Sequence, residues 1–538
     1  MTKDGERARI AFLLLVLALF ASVCGSGCAR EPDVKYPDTI TVGSLADAKR
    51  LLPFLASDSA SGQISGYLFN GLTKYNENIE IVGDLAESWD VSPDGLRITF
   101  HLRKGVKWHD GVEFTSDDVL FTYLSVTNPN VPTPYSSIYG PVERVETPDR
   151  YSVRVIYKEP YAPTLESWSM GIIPKHALEG KDLASPEVNR SPVGTGPYTL
   201  EEWVTGQKIV LKAFNDYFEG RPGIDRFIAR IIPDTATMFL ELKFGGIDYM
   251  GLTPPQFKLQ AQTEFFTRYF QKFRYPSFGY TYLGYNLLNP LFSNKQVRRA
   301  IAHAINKDEI IAGVLLGYGT PCTGPFPPES WAYNPEVTDL AYDPPKALAM
   351  LSEMGWKMND KGILEKNGKP LSFTVLVNQG NEARLKTAQI LKEQFKKVGI
   401  EMQIKVLEWQ AMLHDFIDKK RFEAIIMGWG LSRDPDVYDI WHSSKTKEGE
   451  FNFVSYSNEE VDRLLLEGRS TFDIDKRTKI YHRIHEILAD DQPYAFLYVP
   501  DALPVLSKRF KGVKKAPIGI WYDFIHWHVP KDRAEWYD

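Results

Sequence analysis

Apolar and polar positions in this chain fall into two periods. Over 96–103, Leu96, Ile98, Phe100 and Leu102 alternate with Arg97, Thr99, His101 and Arg103. A period of two predicts a strand with one buried face. Ser92-Pro93-Asp94-Gly95 precedes it and reads as a turn, because proline presets φ and glycine tolerates positive φ. Trp89-Asp90-Val91 is then the other arm of a hairpin. Lys104-Gly105 ends the strand, and Trp108-His109-Asp110-Gly111 makes a second turn. Thr115-Ser116-Asp117-Asp118 offers N-cap chemistry for a helix carrying Val119, Leu120, Phe121 and Tyr123.

Later segments follow the same logic. Strands are expected over 39–43, 151–157 and 198–203, the runs 209–212 and 227–233 continue the same domain, and a helix ends in Tyr67-Leu68-Phe69-Asn70-Gly71-Leu72. In the second half, a strand over 373–377, a helix over about 384–398 stopped by Gly399, and a strand over 400–407 form a β-α-β unit. Such a unit implies parallel strands joined by a right-handed crossover. The run 494–505 reads as a strand and a return crossing.

The N-terminus has a different pattern. Lys3, Arg7 and Arg9 precede an apolar run over 10–23, followed by Cys24-Gly25-Ser26-Gly27-Cys28. Basic residues before so short an apolar stretch read as a secretory signal rather than a membrane span. Gly27-Cys28 resembles the end of a bacterial lipobox, in which Cys28 becomes the lipidated first residue. Gly25 stands where an aliphatic residue is usual, Cys24 is a rival position, and ordinary signal cleavage is the alternative. The third cysteine, Cys322, then has no partner, so no internal disulfide is expected in spite of export.

Composition narrows the function classes. The 538 residues are 43% hydrophobic and 25% charged with net charge −6, which gives no basic bias toward nucleic acid. No G-x-S-x-G elbow, H-E-x-x-H, Walker loop or strand-following G-x-G-x-x-G is present. The glycines of Pro192-Val193-Gly194-Thr195-Gly196-Pro197-Tyr198 lack the Gly-Lys-Ser/Thr and helix of a phosphate cradle, and read as a tight re-entry of the chain. Two histidine pairs remain as metal candidates. His482, His485 and Glu486 lie on an amphipathic helix, where a surface or cap role is the simpler reading, and His526 and His528 share one face of an expected strand.

The ordered residues of 83–123 (GDLAESWDVSPDGLRITFHLRKGVKWHDGVEFTSDDVLFTY), with PVGTGPY at 192–198, Gly246-Ile247-Asp248, Phe292, Asn294, Val297-Arg298-Arg299-Ala300 and Tyr342-Asp343-Pro344, closely resemble the fingerprints of the family 5 extracellular solute-binding proteins. These are the peptide, nickel and related binding proteins of ABC importers. The resemblance implies an α/β, two-lobed periplasmic-binding-protein-like fold with an extra inserted α+β domain on the first lobe. After a signal segment at 1–28, the first lobe would comprise 29–72, 191–272 and 505–538, the inserted domain 73–190, and the second lobe 273–504. Hinge strands are expected near 272–280 and 494–503.

It further implies a monomer without catalytic residues, cofactor or nucleic-acid partner. Such a protein would be exported, anchored through Cys28, and would hand a peptide or other small solute to permease subunits in the membrane. A non-peptide solute, whether oligosaccharide, nickel or metallophore, is the alternative. In the family the loop at 51–61 borders the ligand cleft, pointing to Ser57, Asp58 and Ser59, which equally suit an N-cap cluster. Trp409 and Trp429 would wall the pocket, Gly430, Leu431 and Ser432 after the second would offer main-chain pairing to an extended ligand, and Gly428 joins the ligand-binding set. Tyr282, Arg384 and Tyr498 complete the expected set. Peptide-binding members place an Asp three residues after the second Trp, against the ligand's α-ammonium. Here that position is Ser432, or Leu431 when counted back from Pro435. Asp434 or Asp436 either replaces the missing acid or caps the following helix.

Overall fold

A computed structural model describes residues 38–530, so the leader with Cys28 lies outside the described residues. Thr39–Ser44 is the middle strand of a seven-stranded sheet ordered Phe270–Lys272, Pro504–Ser507, Tyr249–Gly251, Thr39–Ser44, Arg226–Ile231, Lys208–Ala213, Tyr198–Val204. The pairs that Thr39–Ser44 makes with Arg226–Ile231 and Tyr249–Gly251 are parallel. The expected hairpin forms Ala86–Val91 and Arg97–Leu102, and Ser152–Tyr157 and Val142–Asp149 extend it to four antiparallel strands. Ile98, Phe100 and Leu102 are buried as the alternation requires, and Gly95 turns at φ 69°. Helix Ser116–Thr127 covers this sheet and opens with a reciprocal cap between Thr115 and Asp118. The four-stranded sheet and the first sheet share one continuous apolar core.

The second sheet runs Tyr275–Pro276, Tyr494–Ala502, Gly279–Tyr285, Ala424–Gly430, Ser372–Asn378, Glu401–Leu407, with Gly319–Pro321 added on Tyr494–Ala502. Ser372–Asn378 pairs in parallel with Glu401–Leu407, the helix Glu382–Lys397 forming the crossover. Ala424 and Ile426 enter one core, Ile425 and Met427 the other. Burial on both faces explains why this strand reads as an unbroken apolar run rather than an alternation. The chain passes between the two large sheets twice, at 273–274 and at Leu503, on neighbouring strands paired Lys272 to Val505 and Tyr275 to Ala502.

The two glycine-containing fingerprints hold each other. The backbone N–H of Gly194 donates to His109 Nδ1 at 3.1 Å, and His109 Nε2 donates to the Gly196 carbonyl at 3.0 Å. A Cβ on Gly194 would lie 1.7 Å from the Leu68 carbonyl oxygen, so only glycine permits this approach.

Two expectations need correction. His485 is not at the surface: the loop preceding Tyr342 folds over it, and its ring accepts from the Asn334 N–H at 3.1 Å and meets Thr323 Oγ1 at 3.1 Å. His526 does not lie on a strand but ends a short helical turn, Trp521–His526, because Phe524 and Trp527 turn inward against Tyr198 and Trp521.

Candidate functional site

A cavity of about 760 Å³ lies between the first sheet with its four-stranded companion and the second sheet. Contacts around its rim hold the two sides together. Gln410 Nε2 donates to the Asp47 carbonyl at 3.0 Å, Lys49 pairs with Asp418 at 3.3 Å, and Tyr135 meets Phe451 edge-on at 5.3 Å. Ser137 donates to Asp439 at 2.6 Å, and the Ala162 N–H donates to the Arg469 carbonyl at 2.6 Å. The described conformation is therefore closed.

One wall begins at the helix Ser59–Leu68. Asp58 is its N-cap, accepting from the N–H groups of Ala60 and Ser61 at 3.1 Å each and from Ser61 Oγ at 2.6 Å. Ser57, Asp58 and Ser59 all line the cavity, but the Asp58 carboxylate is committed to the helix. The opposite wall is the end of the strand Ala424–Gly430. Trp429 stacks on Phe453 at 5.8 Å, meets Phe451 edge-on at 5.4 Å, and donates from Nε1 to Tyr494 Oη at 3.4 Å. Trp409 begins the helical turn after Glu401–Leu407 and lies 5.9 Å from the Arg384 guanidinium.

The strand that carries Trp429 has an open edge. Ala424–Gly430 pairs along its length with Gly279–Tyr285, but with Ser372–Asn378 only through Ala424 and Ile425. From Met427 onward its second edge has no strand partner among the described residues, and this is the stretch that borders the cavity.

Tyr282 and Tyr498 stand behind the wall rather than in it. Tyr282 stacks on Tyr494 at 3.9 Å within the core, and Tyr498 Oη bonds Thr387 Oγ1 at 3.2 Å. Arg384 lines the cavity, donates to Asn378 Oδ1 at 2.8 Å, and forms no ion pair among the described residues.

The two loop aspartates both border the cavity and both face arginine. Arg477 grips Asp434 with two bonds of 2.6 and 2.7 Å, and Arg469 grips Asp436 through Nε at 2.9 Å and Nη2 at 2.8 Å. Each also caps its own turn, Asp434 accepting from the Asp436 N–H at 3.0 Å and Asp436 from the Tyr438 N–H at 3.3 Å.

An acid that the sequence did not flag reaches the same place from the opposite side. Glu166, on the turn Thr164–Ser167 beside the four-stranded sheet, accepts from Ser432 Oγ and, at 3.1 Å, from the Asp434 N–H. Burial, reinforced by the nearby Asp434 carboxylate, pushes its carboxyl up to about 8. Glu166 and Ser432 are 266 positions apart, so only the closed cleft could show that they meet.

Two lobes joined by paired crossings and closed over a cavity define a solute-binding protein of the hinged type. The chain belongs to the bacterial extracellular solute-binding proteins, family 5, whose family model matches residues 80–451. It is 35% identical to the oligopeptide-binding protein AppA of Bacillus subtilis over 96% of this chain and 98% of that protein. The structure of that AppA in complex with a nonapeptide superimposes with a TM-score of 0.86, covering 92% of this chain and 99% of the other. DppA of Helicobacter pylori in complex with the peptide STSA gives a TM-score of 0.83 at 27% identity, covering 92% of this chain and 98% of the other. NikZ of Campylobacter jejuni in complex with Ni(L-His) gives 0.84 at 29% identity, covering 91% and 99%. Among the described residues no helix is long and apolar enough to cross a membrane.

Proposed function

We propose that this protein captures peptides in its interlobe cavity and delivers them to the membrane permease of an ABC importer. The observation that carries the reading is the open strand edge from Met427 to Gly430, which carries Trp429 and borders a cavity that Trp409 also lines. Every peptide presents the same pattern of N–H and C=O groups, so an unpaired edge binds peptides with little regard to side chain. Trp409 and Trp429 supply apolar faces for the side chains, and Arg384, with no carboxylate of its own, faces the ligand's carboxylate or carbonyl groups. Relatives named for oligopeptide and dipeptide binding support the same reading. The paired crossings support limits near 273 and 504 for the second lobe, and with them we assign 29–72, 191–272 and 505–538 to the first lobe and 73–190 to the inserted domain. We assign the protein to the outer face of a bacterial membrane, as a monomer tethered through a lipid on Cys28.

Incubating the purified protein with a random peptide library, then identifying retained species by native mass spectrometry, tests the assignment. Retention of peptides of many sequences is expected. Retention of none ends the peptide reading and turns attention to a non-peptide solute.

A further inference from the structure

Most charged side chains that line the cavity are already matched. Asp434 is held by Arg477, Asp436 by Arg469, Asp439 by Lys445 at 3.2 Å, Glu450 by the same Lys445 at 3.6 Å, and Asp418 by Lys49. Asp58 is spent on its helix N-terminus. Glu166 is the exception among these carboxylates. It lies against the cavity with hydroxyl and N–H donors around it, yet no cation pairs with it among the described residues.

From this imbalance we infer that Glu166 receives the cationic group of the ligand, the α-ammonium of a peptide, and so selects ligands with a free amino terminus. The inference rests on the peptide reading above. It puts the selecting charge on the first-lobe side of the cleft, so the ammonium is enclosed only when the lobes close. Ser432 and the Asp434 N–H, from the other lobe, fix the carboxylate's direction. A buried carboxylate without a counter-ion and an enclosed ammonium without an acceptor are each costly, and bringing them together removes both costs.

The titration state is consistent with this role. The groups facing Glu166 are Tyr75, whose hydroxyl bonds it, Asp434 and Asp436, with Arg433 beside Tyr75 and Arg477 and Arg469 behind the aspartates. With its carboxyl pushed up to about 8, Glu166 carries a proton near neutral pH until a cation arrives. Binding of an ammonium restores the carboxylate and releases that proton to solvent.

The experiment uses a random pentapeptide library in two forms, free-amine and N-acetylated, against the full-length protein. Wild type is expected to retain the free form by about thirtyfold or more over the acetylated form, the lower bound for stranding one member of an enclosed charge pair. Glu166→Gln, which keeps the shape and one oxygen to accept from the Asp434 N–H, should bring the two forms to near parity, and Glu166→Asp should keep the preference. Calorimetric enthalpies in buffers of different ionisation heat should report proton release for wild type and none for Glu166→Gln. If wild type binds both forms equally, or if Glu166→Gln weakens both forms alike, Glu166 is a closure contact only and the inference is overturned while peptide binding stands. If wild type retains neither form, the peptide reading itself fails and this inference fails with it.

Discussion

Asp434 and Arg477 meet fork to fork, with Nη1 2.6 Å from Oδ2 and Nη2 2.7 Å from Oδ1. Arg477 sits on the long helix Ile474–Asp491 and Asp434 on the loop that follows the open strand edge. The pair therefore fixes the loop that carries Leu431 and Ser432 along one wall of the cleft.

Removing one partner strands the other in a buried site. Arg477→Gln should destabilise the protein by about 3–5 kcal/mol in urea unfolding, against little change for a solvent-exposed arginine such as Arg463. A loss below about 1 kcal/mol would mean that Asp434 does not depend on Arg477.

Trp429 packs one face on Phe453 and borders the cavity with the rest. Trp429→Ala should weaken peptide binding roughly ten- to a hundredfold, from about 1–3 kcal/mol of lost aromatic contact, while the fold survives. Unchanged affinity by calorimetry would put the ligand elsewhere.

The strands of this protein were legible where one face is buried, as over Arg97–Leu102, and where β-α-β spacing fixed the direction of pairing, as from Ser372 to Leu407. The tryptophan walls were legible through family resemblance. What the chain could not disclose is which polar groups are already partnered. Asp434 and Asp436 looked available for a ligand because Arg477 and Arg469 lie 43 and 33 positions away. Glu166 drew no notice for the converse reason: an isolated acid in a short turn carries no local pattern. His526 was misread because a period of two cannot be told from a helical turn over so few residues.

Acid should weaken the fold through two histidines held neutral. Burial lowers both His109 and His485 to about 4, below the ordinary value of about 6.5. Between these limits the unfolded chain binds more protons than the folded one. Their contribution is thus fully present above about 6.5 and is lost as the pH falls toward 4. His485→Asn should flatten the fall in unfolding free energy across this window by up to about 1.4 kcal/mol per pH unit, whatever its effect at neutral pH. Parallel pH profiles for the variant and wild type would show that His485 does not titrate with unfolding.

Gly194→Ala should be severe, because the new methyl would meet the Leu68 carbonyl, a backbone atom with no freedom to move aside. A loss at or beyond the upper end of about 1–3 kcal/mol is expected in thermal or urea unfolding. Gly66→Ala is the matched control. It lies in the helix Ser59–Leu68 with open space around its Cβ position, so it should be stabilising by about 0.5–1 kcal/mol. Equal effects for the two would remove steric approach as the reason for glycine at 194.

Arg469 bridges the two lobes at the closed rim. Its guanidinium is anchored within its own lobe by Asp436 and lies 3.8 Å over the Tyr438 ring, so its position does not require the other lobe. From there Nη2 donates to Ser137 Oγ at 3.2 Å, and the Arg469 carbonyl accepts from the Ala162 N–H. Ser137 Oγ in turn donates to Asp439 at 2.6 Å, so one hydroxyl joins an arginine and an aspartate of the second lobe to the first-lobe side. Ser137→Ala removes that joint without unpairing Arg469 from Asp436, and the fold should be unaffected. Hydrogen bonds to charged groups contribute about 1.5–3 kcal/mol, and this one exists only in the closed form. The closed population should therefore fall by about ten- to a hundredfold relative to the open one. Because ligand is enclosed only on closure, apparent peptide affinity should drop by a similar factor. Small-angle scattering of the ligand-free protein should show a larger radius of gyration for Ser137→Ala, and saturating peptide should restore the wild-type value. An identical radius together with unchanged affinity would mean that the Ser137 hydroxyl is dispensable and that the rim is held by the Ala162–Arg469 main-chain bond, the aromatic contact of Tyr135 with Phe451 and the Lys49–Asp418 pair.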